Sequence, residues 1–166
     1  MGRSSPGPRS VSTAAHTPDM VADRLQTLCD EHDVERALIR FARAMDDRDY
    51  AAMAAILAED AQGDLGTGRL EGSTAIIETI RGFLDGCGPT QHLLGNIIID
   101  VTGDTAVSRS YIRDVHLNST ADPTTRFYTI GDYHDTWRRR PDGSWCLTER
   151  VKANRAYVGA LDVFGG

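Results

Sequence analysis

An aspartate at the end of a helical pattern is the first residue whose type and position could do chemistry. Val34 and Met45 belong to an apolar stripe at helical spacing, and Asp46 lies on its flank. A carboxylate in the last turn of a helix faces the negative end of the helix dipole, which costs about 0.3–1 kcal/mol at an exposed site. Because such violations cluster at functional sites, Asp46 is a candidate for acid/base catalysis. The alternative is a solvated acidic helix end, which is our interpretation of Asp47 and Asp49.

Two histidines are the candidates for proton transfer. His92 follows a glycine-rich helix end and opens an apolar block that reaches Ile99, so we expect its imidazole to border an apolar interior. An unperturbed pKa near 6.5 suits this side chain to proton transfer at neutral pH. His116 lies near the end of the next predicted strand, on the same face as Ser110 and Asp114, where it could hydrogen-bond a substrate oxygen. Each histidine could instead be structural, one beside the core and the other at a solvated strand end.

A further group of polar and aromatic residues could line a pocket. Asp132 and His134 lie in the middle of a predicted strand, on the face that they share with Tyr128 and Ile130. The candidate substrate contacts are Asn96, Tyr111, Tyr128, Asp132 and His134.

No motif for a cofactor or a metal accompanies these residues. Gly66, Gly68 and Gly72 lack the spacing of the dinucleotide-binding fingerprint, and no HExxH or CxxC motif occurs. The five histidines are scattered over separate predicted elements and give no ligand spacing. No serine lies in a nucleophile-elbow motif, so acyl transfer is not indicated. We therefore predict chemistry by side chains alone, with no cofactor and no metal ion.

Composition excludes other function classes. The chain has 166 residues and a formal net charge of -6, and it lacks a run of basic residues, which argues against a nucleic-acid partner. The short triplet Arg138–Arg140 is interpreted as solvated surface. No apolar run is long enough to span a bilayer, so no membrane association is expected. Three cysteines, odd in number and far apart, favour a reducing cytoplasm.

The elements that must position these residues are helices first and strands afterwards. Helical patterns are predicted from Asp30 to Met45, Tyr50 to Leu57 and Ser73 to Leu84, and strands at 61–65, 91–101, 105–117, 126–139 and 144–157. Glycines in Thr102–Asp104 and Pro141–Gly143 indicate hairpin turns. This order predicts a single α+β domain over residues 21–166 with an antiparallel sheet, preceded by a disordered tail over residues 1–20.

Three segments between residues 28 and 157 carry a resemblance to a known family. They read FARAMDDRDYAAMAAILAEDAQGD, TQHLLGNIIID and YTIGDYHDTWRRRPDGSWCLTERV. The chain resembles the SnoaL-like polyketide cyclase and dehydratase branch of the nuclear transport factor 2 superfamily. The resemblance implies a cone of three N-terminal helices on a curved, mostly antiparallel sheet. It also implies a homodimer, an expectation supported by the many aromatics between Phe127 and Trp137.

The resemblance also assigns roles to site residues. In dehydratase-like relatives a carboxylate at the end of the first helix works with a histidine after the third, and the matching positions are Asp46 and His92. His92 would be the general acid/base and Asp46 its partner, or the reverse. These relatives often have a tyrosine five residues before the acid. Phe41 stands there in this chain, so the apolar wall is kept, and Tyr50, Tyr111 or Tyr128 would have to supply the lost phenol.

The expected function is a cofactor-free acid/base enzyme, namely a dehydratase, isomerase or cyclase. Its substrate would be a small, mostly apolar secondary metabolite with a carbonyl or hydroxyl group. Two alternatives stay open. One is epoxide opening, which needs a second carboxylic acid such as Asp114 or Asp132 beside Asp46. The other is a non-catalytic ligand-binding or assembly subunit.

Overall fold

The first helix is longer than the sequence pattern predicts. The structure is a computed structural model that describes residues 17–120 and 124–164, and its helix α1 spans Pro18–Asp46. Thr17 caps the helix by accepting a hydrogen bond from the backbone N–H of Met20 at 3.3 Å. Residues 17–29 are exposed, so this stretch has no apolar stripe to reveal it. The expected disordered tail is therefore wrong for residues 18–20, and its residues 1–16 lie outside the described part of the chain.

Two shorter helices agree with the sequence pattern. Helix α2 spans Tyr50–Ile56 and is capped by Asp49, whose carboxylate accepts from the backbone N–H of Ala52 at 2.9 Å. Helix α3 spans Ser73–Leu84 and buries Ile76, Ile80 and Leu84 on one side. Within the described residues, no helix combines the length and the apolar character that crossing a membrane would require.

Six strands form one sheet behind the helices. They are β1 (Leu57–Asp64), β2 (Arg69–Glu71), β3 (Thr90–Thr102), β4 (Thr105–Leu117), β5 (Arg126–Arg139) and β6 (Trp145–Gly159). Their order is β2-β1-β6-β5-β4-β3, with antiparallel neighbours except for the parallel pair β1–β6. The four long strands were predicted, whereas β2 and a 3₁₀ turn at Leu161–Phe164 were not. The expected α+β fold, three helices on a curved and mostly antiparallel sheet, is confirmed.

The two faces of the sheet differ in environment, and this difference decides which residues can reach a site. On β5 the side chains of Phe127, Thr129, Tyr133, Asp135 and Trp137 point inward and are buried, while the alternate residues point outward. The inner side chains pack against the apolar faces of the helices. The indole N–H of the fully buried Trp137 donates to Ser108 at 2.9 Å, which fixes the register of the inner face.

The arginine triplet is not simply solvated surface, which corrects the interpretation from sequence. Arg139 makes two hydrogen bonds, at 2.6 and 2.7 Å, to the buried carboxylate of Asp30. These bonds hold the pKa of Asp30 below its usual value, against the effect of burial. Arg140 donates to the backbone oxygens of Ala55 and Leu57 at 2.9 and 3.1 Å. The end of the β5–β6 hairpin is thereby tied to α1 and to the start of β1.

Candidate active site

A cavity of about 200 Å³ lies between the helices and the inner face of the sheet. Its walls come from α1, α3, the inner residues of β3 to β6 and the 3₁₀ turn. Much of the wall is aromatic, supplied by Phe41, Phe83, Phe127, Tyr133, Tyr157 and Phe164. Because a cavity of about 150 Å³ is enough to bind benzene, this one suits a molecule of one or two rings.

Asp46 and His92 meet at the wall of this cavity. The Asp46 carboxylate accepts from the Nδ1–H of His92 at 2.7 Å and from its backbone N–H at 3.0 Å. An ionised carboxylate can only accept, so Nδ1 carries the proton and Nε2 is the free ring nitrogen. No hydrogen-bond partner for Nε2 occurs among residues 17–120 and 124–164. The His92 side chain is 5% exposed and lines the cavity, so this nitrogen is available to a bound molecule.

The turn after α1 holds the Asp46 carboxylate in place. Thr90 donates its hydroxyl proton to Asp46 at 3.0 Å, and it accepts in turn from the Arg48 guanidinium at 2.9 Å. Arg48 has a positive φ of 58° and also donates to the backbone oxygens of Leu84 and Gly88 at 3.1 and 3.0 Å. Burial raises the pKa of Asp46, but the hydrogen bonds from His92 outweigh it, so the pKa lies below its usual value. Asp46 is therefore a carboxylate at neutral pH.

A second polar group faces His92 within the cavity. His116 is buried, its ring centroid lies 5.4 Å from that of His92, and its Nδ1 has no hydrogen-bond partner. Burial lowers the pKa of His116 to about 4, so this ring is neutral at pH 7. Beside it, the buried Asp114 accepts from the Lys152 ammonium at 2.5 Å and from the backbone N–H of Thr129 at 3.0 Å. Burial raises the pKa of Asp114, but the charge of Lys152 brings it below the usual value.

The sequence matches a known protein family over most of its length. Residues 26–151 match the family model described as a SnoaL-like domain. The chain belongs to the SnoaL-like family. No curated protein sequence matches it.

Solved structures share the fold of this SnoaL-like domain at low sequence identity. A candidate scytalone dehydratase from Novosphingobium aromaticivorans is 23% identical, with a TM-score of 0.72 over 81% of this chain and 89% of that one. An NTF2-like protein from the same organism is 24% identical, with a TM-score of 0.70 over 84% and 90%. A type 2 hexachlorocyclohexane dehydrochlorinase, LinA, is 16% identical, with a TM-score of 0.73 over 82% and 93%. These likenesses place the chain in the NTF2-like fold.

The SnoaL-like domain places some predicted site residues at the cavity and others away from it. Phe41, His92 and His116 line the cavity, and Asp46 reaches it through His92. The residues that do not line it are Asn96, Tyr111, Tyr128, Asp132 and His134. Four of these are outward residues of β4 and β5, and Asn96 is exposed at an irregularity of β3. The expected position of these five residues at the cavity wall is corrected. A period of two groups residues on one face of a strand but does not indicate which face is the inner one.

Several cavity residues were not among the predicted site residues. Tyr133 and Lys152 line the cavity, and Asp114 had entered only as a possible acid for epoxide opening. The phenol lost at Phe41 is not replaced by Tyr50, Tyr111 or Tyr128, since none of them lines the cavity. Tyr133 and Tyr157 do line it. The signal for Tyr133 was its even spacing from Trp137, the residue most certain to be in the core.

Three side chains of the cavity lie close enough together to be compared with a metal site. Potential ligand atoms of His92, Asp114 and His116 lie within 4.8 Å of one another. Both oxygens of Asp114 are already engaged, one by Thr129 and the other by the Lys152 ammonium. A cation bound here would have to displace this ammonium or tolerate it as a like-charged neighbour. The trio therefore fits hydrogen bonding and proton transfer better than metal binding.

Proposed function

We propose that this SnoaL-like domain is a cofactor-free acid/base enzyme, a lyase or isomerase that acts as a dehydratase, isomerase or cyclase. The observation that carries the proposal is the two-point contact between Asp46 and His92, which orients a free imidazole nitrogen toward an apolar cavity. The substrate would be a small secondary metabolite with one or two rings and a carbonyl or hydroxyl group. Three free cysteines, Cys29, Cys87 and Cys146, are compatible with the reducing cytoplasm that we propose as its location.

The mechanism follows from the tautomer that Asp46 imposes. Nε2 of His92 takes a proton from a carbon next to the substrate carbonyl, or from a hydroxyl group. The Asp46 carboxylate stabilises the resulting imidazolium through the hydrogen bond at Nδ1. The same Nε2–H then returns the proton, either to a leaving hydroxyl group, which departs as water, or to another carbon of the substrate. The mostly apolar walls lower the local dielectric constant and so strengthen each of these interactions.

Two relatives support elimination as the reaction class. The names scytalone dehydratase and hexachlorocyclohexane dehydrochlorinase denote the removal of water and of hydrogen chloride. Both reactions begin with a base beside an activated C–H bond, which is the role proposed for His92. Epoxide opening has less support because it needs a neutral carboxylic acid. Asp132 lies outside the cavity, and the pKa values of Asp46 and Asp114 are both lowered.

The proposal is tested by hydrogen–deuterium exchange at the α-carbon of cyclic ketones, since all three candidate reactions share this proton transfer. We expect the enzyme to catalyse exchange into 2-tetralone in D₂O, measured by NMR. His92→Ala and Asp46→Asn should each lower the rate by about 10²–10⁴-fold, and the double variant should be scarcely slower, because both residues serve one proton transfer.

Controls separate this mechanism from others. His134→Ala removes an exposed histidine on the outer face and should leave exchange unchanged. Treatment with EDTA should also leave it unchanged, because the proposed chemistry uses side chains alone. Near-normal exchange in His92→Ala, or no exchange by the wild-type enzyme beyond that of His92→Ala, would refute the proposal.

A further inference from the structure

Lys152 is the only lysine among the 166 residues, and it lies in the cavity. Of the 18 lysine and arginine residues, the other 17 are arginines. The Lys152 side chain is 13% exposed and lines the cavity next to His116. Lysine is almost never buried unless its charge is paired, so this position for the single lysine is unusual.

The Lys152 ammonium has donor capacity to spare. It carries three N–H groups, and Asp114 Oδ2, at 2.5 Å, is its one hydrogen-bond partner among the described residues. Asp114 is itself anchored by the backbone N–H of Thr129 at 3.0 Å and by its hydroxyl group. The ammonium is therefore held in position and can still donate into the cavity.

His116 presents a second group without a partner at the same place. Its Nδ1 is buried and makes no hydrogen bond, although a buried polar atom left unpaired is costly. The His116 ring also packs against aromatic neighbours, and its centroid lies 5.1 Å from that of Phe164. An occupant that offers an oxygen to the Lys152 ammonium, and a flat apolar body to the aromatic wall, would fit this part of the cavity.

We propose that the Lys152 ammonium binds an oxygen atom of the substrate beside His116, so that the substrate is a cyclic ketone that can form an enolate, or a phenol. This inference rests on the proposed function. Polar atoms of His92 and Asp114 lie within 4.8 Å of each other, so an oxygen held by the Lys152 ammonium beside Asp114 brings the adjacent carbon within reach of His92. The site thus has a base on one side and a cationic oxygen-binding group on the other.

The proposed step balances without any further reagent. His92 Nε2 takes the α-proton, the electron pair of the C–H bond forms a C=C bond, and the carbonyl π pair moves to oxygen. The Lys152 ammonium stabilises the enolate oxygen where charge develops, in a mostly apolar cavity. When the enolate re-forms the carbonyl, a hydroxyl group on the β-carbon leaves and takes the proton from His92 as water. Without such a leaving group the proton returns to the α-carbon; in a β,γ-unsaturated ketone it can return instead to the γ-carbon, and the double bond then migrates into conjugation.

The binding of 4-nitrophenol tests this inference without turnover, because the phenolate and phenol forms of this probe differ in colour. We expect the wild-type protein to bind the phenolate at least about tenfold more tightly than the phenol, which lowers the pKa of the bound probe by about one unit. Lys152→Met should abolish this preference and lower α-proton exchange by about 10²-fold or more.

Matched variants keep the result interpretable. Because Lys152→Met leaves the Asp114 carboxylate buried and unpaired, the double variant Lys152→Met with Asp114→Asn removes both charges and should show the same loss. Arg138→Met removes the cation of an exposed pair with Asp60 and should change neither readout. His92→Ala should keep the phenolate preference while it loses exchange.

The outcomes distinguish this inference from the proposed function. Wild-type exchange rates in Lys152→Met, or an unchanged preference for phenolate, would overturn the role of Lys152 and leave the His92 mechanism standing. Phenolate binding that depends on Lys152, without any exchange by the wild-type protein, would refute the proposed function and keep the oxygen-binding group. Trapping of 2-tetralone on Lys152 by borohydride, detected by mass spectrometry at this single lysine, would replace the inference with a covalent imine.

Discussion

The two histidines of the cavity have opposite hydrogen-bond environments. His92 is bonded to Asp46 through both its ring and its backbone N–H, whereas the ring nitrogen Nδ1 of His116 has no partner. The first arrangement stabilises a histidine that gains a proton, and the second keeps a histidine neutral. Two identical side chains with edge-to-face rings can therefore serve different purposes, one transferring protons and the other remaining a neutral part of the cavity wall.

The neutral state of His116 makes protein stability depend on pH. Its pKa is about 4 in the folded protein and near 6.5 when unfolded, so between these values the unfolded chain binds a proton that the folded chain does not. Stability should therefore fall as the pH drops from 6.5 to about 4, by about 3 kcal/mol in total. Groups facing this ring include Asp114, His92 and Lys152.

Urea unfolding at pH 7, 6 and 5 measures this effect. His116→Leu should flatten the dependence over this range, because Asp46 and Asp114 have lowered pKa values and titrate at more acidic pH. His32→Leu changes an exposed histidine and should keep the wild-type slope. An equal slope in wild type and His116→Leu would contradict the prediction.

Sequence reasoning could find some site residues and not others. Asp46 and His92 are 46 positions apart, so their pairing came from the family resemblance and not from any local spacing. His116 and Asp114 were correctly grouped on one face by their period of two, and that face proved to be the inner one. Tyr128, Asp132 and His134 were also grouped correctly but lie on the outer face. No local sequence pattern around Lys152 indicates a site. Its one distinguishing feature is that it is the single lysine of the sequence.

At the scale of elements, the short connection between α1 and α2 organises the site. Arg48 is held at a φ of 58°, and its guanidinium joins the end of α3 at Leu84, the following loop at Gly88 and the start of β3 at Thr90. Through Thr90 it supports the carboxylate of Asp46. A rigid planar group with several fixed donors suits this junction better than a flexible one.

Arg48→Met should loosen the junction without touching the cavity. We expect the free energy of unfolding to fall by about 1–3 kcal/mol, because several backbone oxygens lose their donor. The exchange rate should fall by about tenfold or more, since small displacements of a catalytic pair are costly. Chemical denaturation and NMR exchange measure the two effects. Arg40→Met serves as the control, because the hydrogen bond of this arginine lies within α1. An unchanged exchange rate in Arg48→Met would show that the junction does not position Asp46 and His92.

The elements themselves were largely predictable. Helix α3 and the strands β4 and β5 have the predicted limits, because apolar periodicity and glycine turns both mark their ends. The start of α1 was missed because its first turns are exposed and polar. Strand β2 has only three residues and pairs with β1, so its pattern is too short to detect locally. Such short edge strands depend on their neighbours for their conformation.

At the scale of the whole molecule, the outer face of the sheet exposes several large apolar residues. Leu93, Val107, Tyr111, Ile130 and Val158 are each between 46% and 60% exposed. The aromatic residues between Phe127 and Trp137 do not support a dimer through this face, because Phe127, Tyr133 and Trp137 point inward. Of the aromatic residues of β5, only Tyr128 points outward. The face is instead mainly aliphatic. We propose that a second copy of the chain covers it.

Sedimentation at micromolar concentration tests the dimer. We expect a species of twice the 18.1 kDa chain mass, and Ile130→Glu should convert it to monomer by placing a charge in the apolar face. Ile39→Glu changes an isoleucine of α1 that is equally exposed, at 46%, and should leave the dimer intact. A wild-type monomer would refute the pairing, and an Ile130→Glu dimer would place the interface elsewhere.

The parallel pairing of β1 with β6 has a consequence for synthesis of the chain. About 80 residues separate the end of β1 from the start of β6, and β1 occupies the place between β2 and β6 in the sheet. At ~5–20 residues per second, β1 waits roughly 4–16 s on the ribosome before its partner exists. During that time the helices can form, but the cavity cannot, because β6 supplies Lys152 and part of its wall. The cavity therefore cannot be completed before β6 has been synthesised, and a chain that ends before β6 lacks it whatever its N-terminal helices do.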